Sequence, residues 1–281
     1  MDAEVSPEKA RQILSMLTDG GSLGHINTSL ALRLMPLAKE LGRAELVEKL
    51  LDHATSVAAN AVERGWARFE GLKLMEANVD SFLLLAEDAE TIDEGTALNA
   101  ALHHYIALLY LSQGRYDEAK ATAVHALRLR SESEDLTGKV YGLALLMSIA
   151  KRQHDEDTAI AYGTERLELV TQLNDDEGIM EVLAELAHCQ ATIGELAAAH
   201  ELYTQSLERA KELASISGQL VARWGLADLS EIQQDYETAM LSLSDALHEY
   251  IALDLPAPAP LRQRIHDLTN LMNQPQDDSQ A

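Results

Sequence analysis

Few residues in this chain are placed to do chemistry. Glu185-Leu-Ala-His188, with Glu181 one turn earlier, has the Glu-x-x-His spacing by which helical bundles hold carboxylate metal centres. Such a centre needs two of these helices and two more glutamates around one cavity. The regular part of the chain has no second Glu-x-x-His, so no metal site is expected. His103 and His104 are neighbours and would point to different sides of a helix, so they do not chelate together. His104 reads as a groove or packing residue. Cys189 is the single cysteine, which excludes an intrachain disulfide, and its apolar helical context suits a small core residue. There is no Gly-rich phosphate loop, nucleophile elbow or HExxH. No catalytic set and no cofactor are expected. What remains is Trp224 followed at helical spacing by Asp228 and Glu231, an aromatic face beside two acids, which is suited to a cation.

Helices must carry these residues. The chain has 281 residues, of which 47% are hydrophobic, with only 2 Phe and 2 Trp. Alanine and leucine dominate, which favours closely packed helices over sheets. The formal net charge of −24 argues against nucleic acid, whose phosphates require clustered Lys and Arg, and against anionic membranes. No apolar run is long enough to span a bilayer. The N-terminus lacks the basic start and apolar stretch of a signal peptide. A cytoplasmic location is therefore expected.

One stretch recurs. Gly114-Arg-Tyr-Asp-Glu-Ala119 has degraded copies ending at Ala159, Ala199 and Ala239. Each is forty residues after the last, a period that marks a repeat array. In each unit one helix precedes the stretch and one follows it. The first helices are about 96–113, 137–153, 176–193 and 217–233. The second are about 116–131, 156–173, 196–213 and 236–253. Turns this short force antiparallel hairpins. Gly114 and Gly194 supply the left-handed backbone needed just past a helix end. Residues 1–95 read as divergent hairpins of the same array. They comprise a helix starting at Ser6-Pro7, helices at about 27–41 and 44–64, and a shortened hairpin over 65–95. Pro256 to Pro260 breaks the chain. Residues 261–272 form a capping helix with Leu261, Ile265, Leu268 and Leu271 inward, within a capping segment 256–273. Residues 274–281 are expected to be disordered.

The chain resembles the tetratricopeptide repeat (TPR) family, in the variant of about forty residues found in kinesin-light-chain-like and MalT-like arrays. Ala119, Ala159, Ala199 and Ala239 match its small residue on the second helix. Ile106, Leu146, Leu186 and Leu226 match its large aliphatic. Ala107, Ala187 and Ala227 match a small position at which Met147 departs. Ala126, Ser206 and Ala246 match another at which Arg166 departs. Tyr110 alone matches the tyrosine of the first helix, and the family's early tryptophan and closing proline are absent. The second unit is thus the most divergent. The resemblance implies an all-α, right-handed α-solenoid, a superhelix of antiparallel helix hairpins, and protein or peptide binding without catalysis.

It also implies which side chains line the concave groove, namely four positions on each first helix. The polar and aromatic ones are His104, Tyr141, Ser148, Lys151, Glu181, His188, Trp224, Asp228 and Glu231. The expected occupant is an extended or helical segment with an apolar part and a basic part, its cation near Asp228 and Glu231. Two readings of function follow. One is a constitutive scaffold or adaptor. The other resembles the bacterial peptide-sensing regulators that inhibit or release a partner, with residues 1–95 as the effector part. Self-association through the end faces is compatible with either.

Overall fold

Each regular helix ends in the same knot of backbone hydrogen bonds. After the helix Thr96–Ser112 the N–H of Arg115 donates to Tyr110 O at 2.9 Å and that of Gly114 to Leu111 O at 3.0 Å. This is the double bond of a Schellman turn, which needs a left-handed residue between the two. Glycine fills that place at Gly42, Gly114 and Gly194, with φ of +67°, +73° and +88°. Elsewhere Glu134, His154, Asn174, Ala214 and Gln234 adopt it, with φ between +51° and +63°. Reading only glycines as stops therefore understates the regularity of the turn. The next helix is capped at once. Asp155, Asp175, Ser215 and Asp235 each accept the N–H three residues on, as their side chains do at helix starts generally.

The computed structural model describes residues 6–18 and 20–273. Its helices are α1 (Pro7–Thr18), α2 (Thr28–Glu40), α3 (Ala44–Val57), α4 (Ala61–Leu74), α5 (Val79–Glu90), α6 (Thr96–Ser112) and α7 (Tyr116–Glu132), then α8 (Leu136–Arg152), α9 (Glu156–Gln172), α10 (Asp176–Thr192), α11 (Leu196–Glu212), α12 (Ile216–Ile232), α13 (Tyr236–Ala252) and α14 (Ala259–Met272). The fold is all-α, a run of helical hairpins, and no strand occurs among the described residues. No helix among them is long and apolar enough to cross a membrane. The chain forms two compact units, residues 1–135 and 136–281. The division falls after the first of the four regular repeats.

Three expectations need correcting. The helix expected over 44–64 is two helices. Ala58-Ala59-Asn60 interrupts it, because Asn60 Oδ1 accepts the Glu63 N–H at 2.8 Å and Glu63 reaches back to the Ala59 N–H at 2.7 Å. That reciprocal arrangement is close to a capping box, and it starts a new helix within an alanine-rich stretch that propensity alone would continue. Leu271 is 42% exposed rather than inward, whereas Leu261 and Leu268 are buried. Pro260 lies inside the first turn of α14, where its missing N–H costs nothing. The expected tail, 274–281, lies outside the described residues.

The second unit is built around fully buried alanines. Ala159, Ala199 and Ala239 have no exposed surface, so the two helices of each hairpin approach closely. The two departures from the small-residue pattern each have a partner. Met147 is fully buried, and the space it needs is left by Gly163 on α9, where an added Cβ would lie 3.1 Å from Met147 Cε and 2.6 Å from Leu186 Cδ2. Arg166, also buried, extends to α10 and donates to Glu185 at 3.1 Å. Its equivalent in the next repeat, Ser206, donates instead to the Met180 carbonyl at 2.9 Å.

Candidate functional site

A cleft of about 660 Å³ lies in the second unit, with walls from α10 and α12 and a floor from α11. Its apolar lining comprises Met180, Ala184, Leu220, Val221, Trp224 and the ring of Tyr203. Lys151, Glu181, Glu185, His188 and Asp228 surround this lining. Val221 is 54% exposed, an aliphatic side chain presented to solvent beside a half-buried indole. A concave apolar surface with a few charged groups at its rim is the usual form of a binding site for another molecule.

Glycine makes the floor. A Cβ at Gly225 would lie 2.2 Å from Tyr203 Cζ, so the buried Tyr203 ring occupies the space that any other residue of α12 would fill. Burial, helped by the nearby Asp228 carboxylate, pushes the Tyr203 phenol up to about 12. It is therefore a neutral hydroxyl at physiological pH. Cys189 beneath has no exposed surface, and burial raises its thiol to about 12. That suits a packing residue and not a thiolate nucleophile.

The Glu181–Glu185–His188 constellation does not converge on a cavity of ligands. Arg166 Nη1 meets Glu185 at 3.1 Å and its Nη2 meets Glu181 at 3.8 Å, so a guanidinium sits where a bundle metal would need the carboxylates. Glu181 keeps a 62% exposed side chain and remains able to meet a cation from outside.

The acids beyond Trp224 already hold a cation. Arg264 of α14 donates to both Asp228 and Glu231 and lies over the Trp224 ring, 4.7 Å from its centroid. Burial disfavours the charge of Arg264. Its hydrogen bonds to Glu231 and Asp228 outweigh that, and its pKa is raised overall. The arrangement of aromatic face and two carboxylates has the predicted chemistry, but the group it holds comes from the same chain. Leu261 and Leu268 pin α14 in the cluster that also holds Ala227, Leu243 and Ala246.

Of the nine residues expected in the groove, the cleft brings together Lys151, Glu181, His188, Trp224 and Asp228. Glu231 lies just outside, on Arg264. Tyr141 and Ser148 are exposed on α8 and are not part of its lining. His104 belongs to the other compact unit and is partly buried there. Its Nδ1 lacks a hydrogen-bond partner, and burial followed by the charge of Arg130 lowers its pKa to about 4. The sequence reading missed Tyr203, Ser206 and Arg264. These residues lie outside the first-helix positions of the expected groove, and Gly225 is the sequence signal that a large residue presses on α12 from elsewhere.

No protein-family model and no curated protein matches the chain. Solved structures match its fold at low identity. A STAND protein with a tetratricopeptide repeat sensor, from Pyrococcus horikoshii, aligns over 94% of this chain and 39% of its own length, with TM-score 0.66 and 16% identity. This chain thus spans well under half of that protein. BtubC (BKLC) from P. vanneervenii aligns over 83% of this chain and 92% of its own, with TM-score 0.58 and 16% identity. A Rap protein complexed with competence and sporulation factor aligns over 87% and 70%, with TM-score 0.55 and 16% identity. The fold is that of a tetratricopeptide-repeat array.

Proposed function

We propose that the chain is a noncatalytic protein- or peptide-binding module whose recognition surface is the α10–α12 cleft. The observation that carries this reading is the exposed Val221–Trp224 face over a floor of Met180, Ala184 and Tyr203, rimmed by Glu181 and Asp228. The partner it fits presents an aliphatic side chain to that face and a basic residue to Glu181 and to the free side of Asp228. The open cleft is bordered by paired carboxylates and a neutral phenol, which suits binding better than proton transfer.

One contact favours the sensing form of this function over a constitutive scaffold. Arg264 occupies the acid pair and the indole, so a partner cation seated deeper in the cleft competes with it and loosens α14. The Rap neighbour is complexed with competence and sporulation factor, a precedent for a bound partner on this fold.

The test uses the Trp66→Phe variant, so that Trp224 is the single reporter. Short peptides pairing leucine or valine with lysine or arginine are titrated beside matched acidic peptides. The expected result is a saturable Trp224 change with the basic peptides alone, weakened at least tenfold by Val221→Glu and by Glu181→Lys. Equal response to both peptide sets, or unaltered affinity in both variants, refutes the assignment. Hydrogen exchange of α14 with and without peptide separates the sensor, in which exchange rises, from the scaffold, in which it does not.

A further inference from the structure

The first unit holds a second constellation that the binding function does not use. Glu90 at the end of α5, His103 on α6 and His125 on α7 each bring one ligand atom within 4.8 Å of the other two. The imidazole rings are 4.4 Å apart between centroids and inclined by 56°. His103 is already oriented. Its Nδ1 lies 3.0 Å from the Asn99 backbone carbonyl, and a ring nitrogen facing a carbonyl must carry the proton. The lone pair of His103 is therefore on Nε2, away from the backbone. An oriented imidazole with its other N–H on a carbonyl is how metal-binding histidines are usually held.

The last regular repeat uses the same two positions differently. Residues 120 further along, Arg223 and Asp245, form an ion pair at 2.9 Å across the corresponding hairpin. The same two places in the first regular repeat carry two imidazoles, which cannot pair by charge. Two imidazoles and a carboxylate at this spacing can share one cation. We propose that Glu90, His103 and His125 form a binding site for a borderline divalent transition-metal ion of the Zn²⁺ type, with water completing the coordination.

The electrostatics favour ligation over protonation. Burial, then the neighbouring His103 and Arg128, lower the His125 pKa, while Glu90 and Glu132 act the other way. Arg128 is a cation beside His125 on the same helix. It lies 3.4 Å from His125 Nδ1 but is bound to Glu132 on its own helix, so it can turn aside without losing its partner. A metal here ties α5, α6 and α7 together.

Calorimetric titration of the full chain with ZnCl₂, after chelator treatment, tests the site. One saturable site is expected, with affinity falling at least tenfold in His103→Ala and in His125→Ala and several-fold in Glu90→Gln. His248→Ala, an exposed histidine elsewhere, should bind as the parent does. Zn²⁺ should raise the melting temperature of the parent and leave that of His103→Ala unchanged. Circular dichroism checks that each variant is folded, and His103→Gln replaces any alanine variant that is not. Binding that survives in both histidine variants, or no saturable binding by the parent, overturns the proposal.

Discussion

Replacing Arg264 by alanine separates what α14 does for stability from what it does to the cleft. The guanidinium touches two carboxylates and one indole. Its side chain is 20% exposed, with Asp228 at 48% and Glu231 at 29%. An exposed ion pair contributes about 0.2–1 kcal/mol, and a better-buried charge-assisted hydrogen bond about 1.5 kcal/mol. Taking the first figure for Asp228, something between the two for Glu231, and about 0.5–1 kcal/mol for the cation on Trp224 gives roughly 2 kcal/mol. That is less than the apolar anchoring from Leu261 and Leu268, each of which would cost about 2–3 kcal/mol or more on truncation to alanine. Arg264→Ala should therefore loosen α14 without detaching it.

The assay is hydrogen exchange resolved by segment. A loss of about 2 kcal/mol corresponds to roughly thirty-fold faster opening of α14, with α9 to α11 unchanged. Arg264→Lys keeps the charge but not the planar fork, so it should recover about half of the effect. The same alanine variant should bind the basic aliphatic peptides several-fold more tightly, because Asp228, Glu231 and Trp224 are released to them. Unchanged protection of α14 refutes the energetic reasoning. Weaker peptide binding by Arg264→Ala refutes the idea that Arg264 and the peptide compete.

Three further outcomes are expected. Gly225→Ala drives a Cβ to within 2.2 Å of Tyr203 Cζ. Overpacking of about 2–3 kcal/mol offset by about 1 kcal/mol of helix propensity should lower stability by about 1–2 kcal/mol in urea unfolding, and Gly163→Ala, whose Cβ would lie 2.6 Å from Leu186 Cδ2 and 3.1 Å from the buried Met147 Cε, should also destabilise, by about 1 kcal/mol. Ala214→Gly relieves a left-handed alanine at φ +51° and should stabilise by about 0.5 kcal/mol, while Gly194→Ala, at φ +88° with open space around it, should cost about 1 kcal/mol. His104 has a folded pKa of about 4 against an ordinary 6.5. The stability it contributes is therefore fully present above pH 6.5 and is lost as pH falls from 6.5 towards 4. After discounting for its partial solvent access that amounts to about 2 kcal/mol, and the gap between parent and His104→Gln unfolding energies should close by that amount over the window.

The hairpins were legible because a forty-residue period repeats the same local chemistry, so each turn is encoded by its own residues. Asp155, Asp175 and Asp235 cap their helices with side chains that any local reading can use. The break at Ala58-Ala59-Asn60 was not legible for the opposite reason. Alanine favours continuing a helix, and only the reciprocal Asn60–Glu63 bonds, which win through geometry rather than propensity, end it there. The left-handed Glu134, His154 and Gln234 were hidden in the same way. Their strain is tolerated because the turn supplies two backbone hydrogen bonds at each place.

The site was legible only as far as a single helix face reaches. Trp224, Asp228 and Glu231 share one face of α12, and their spacing alone identifies a cation subsite. That the cation is Arg264 depends on a contact across 33 to 36 residues of sequence, which no period in the chain encodes. The two departures from the family pattern were the better guide. A long basic side chain at a position reserved for small residues must find an anion or stay unburied, and Arg166 finds Glu181 and Glu185 on the neighbouring helix. The substitution that makes the second repeat look divergent therefore fixes the charge pattern of the cleft wall. It leaves Glu181 half-engaged and available, whereas Asp228 and Glu231 are held by the strap. A partner's first electrostatic contact should accordingly be with Glu181, and its displacement of Arg264 should follow. Charge reversal at Glu181 should then slow association, and charge reversal at Asp228 should speed dissociation.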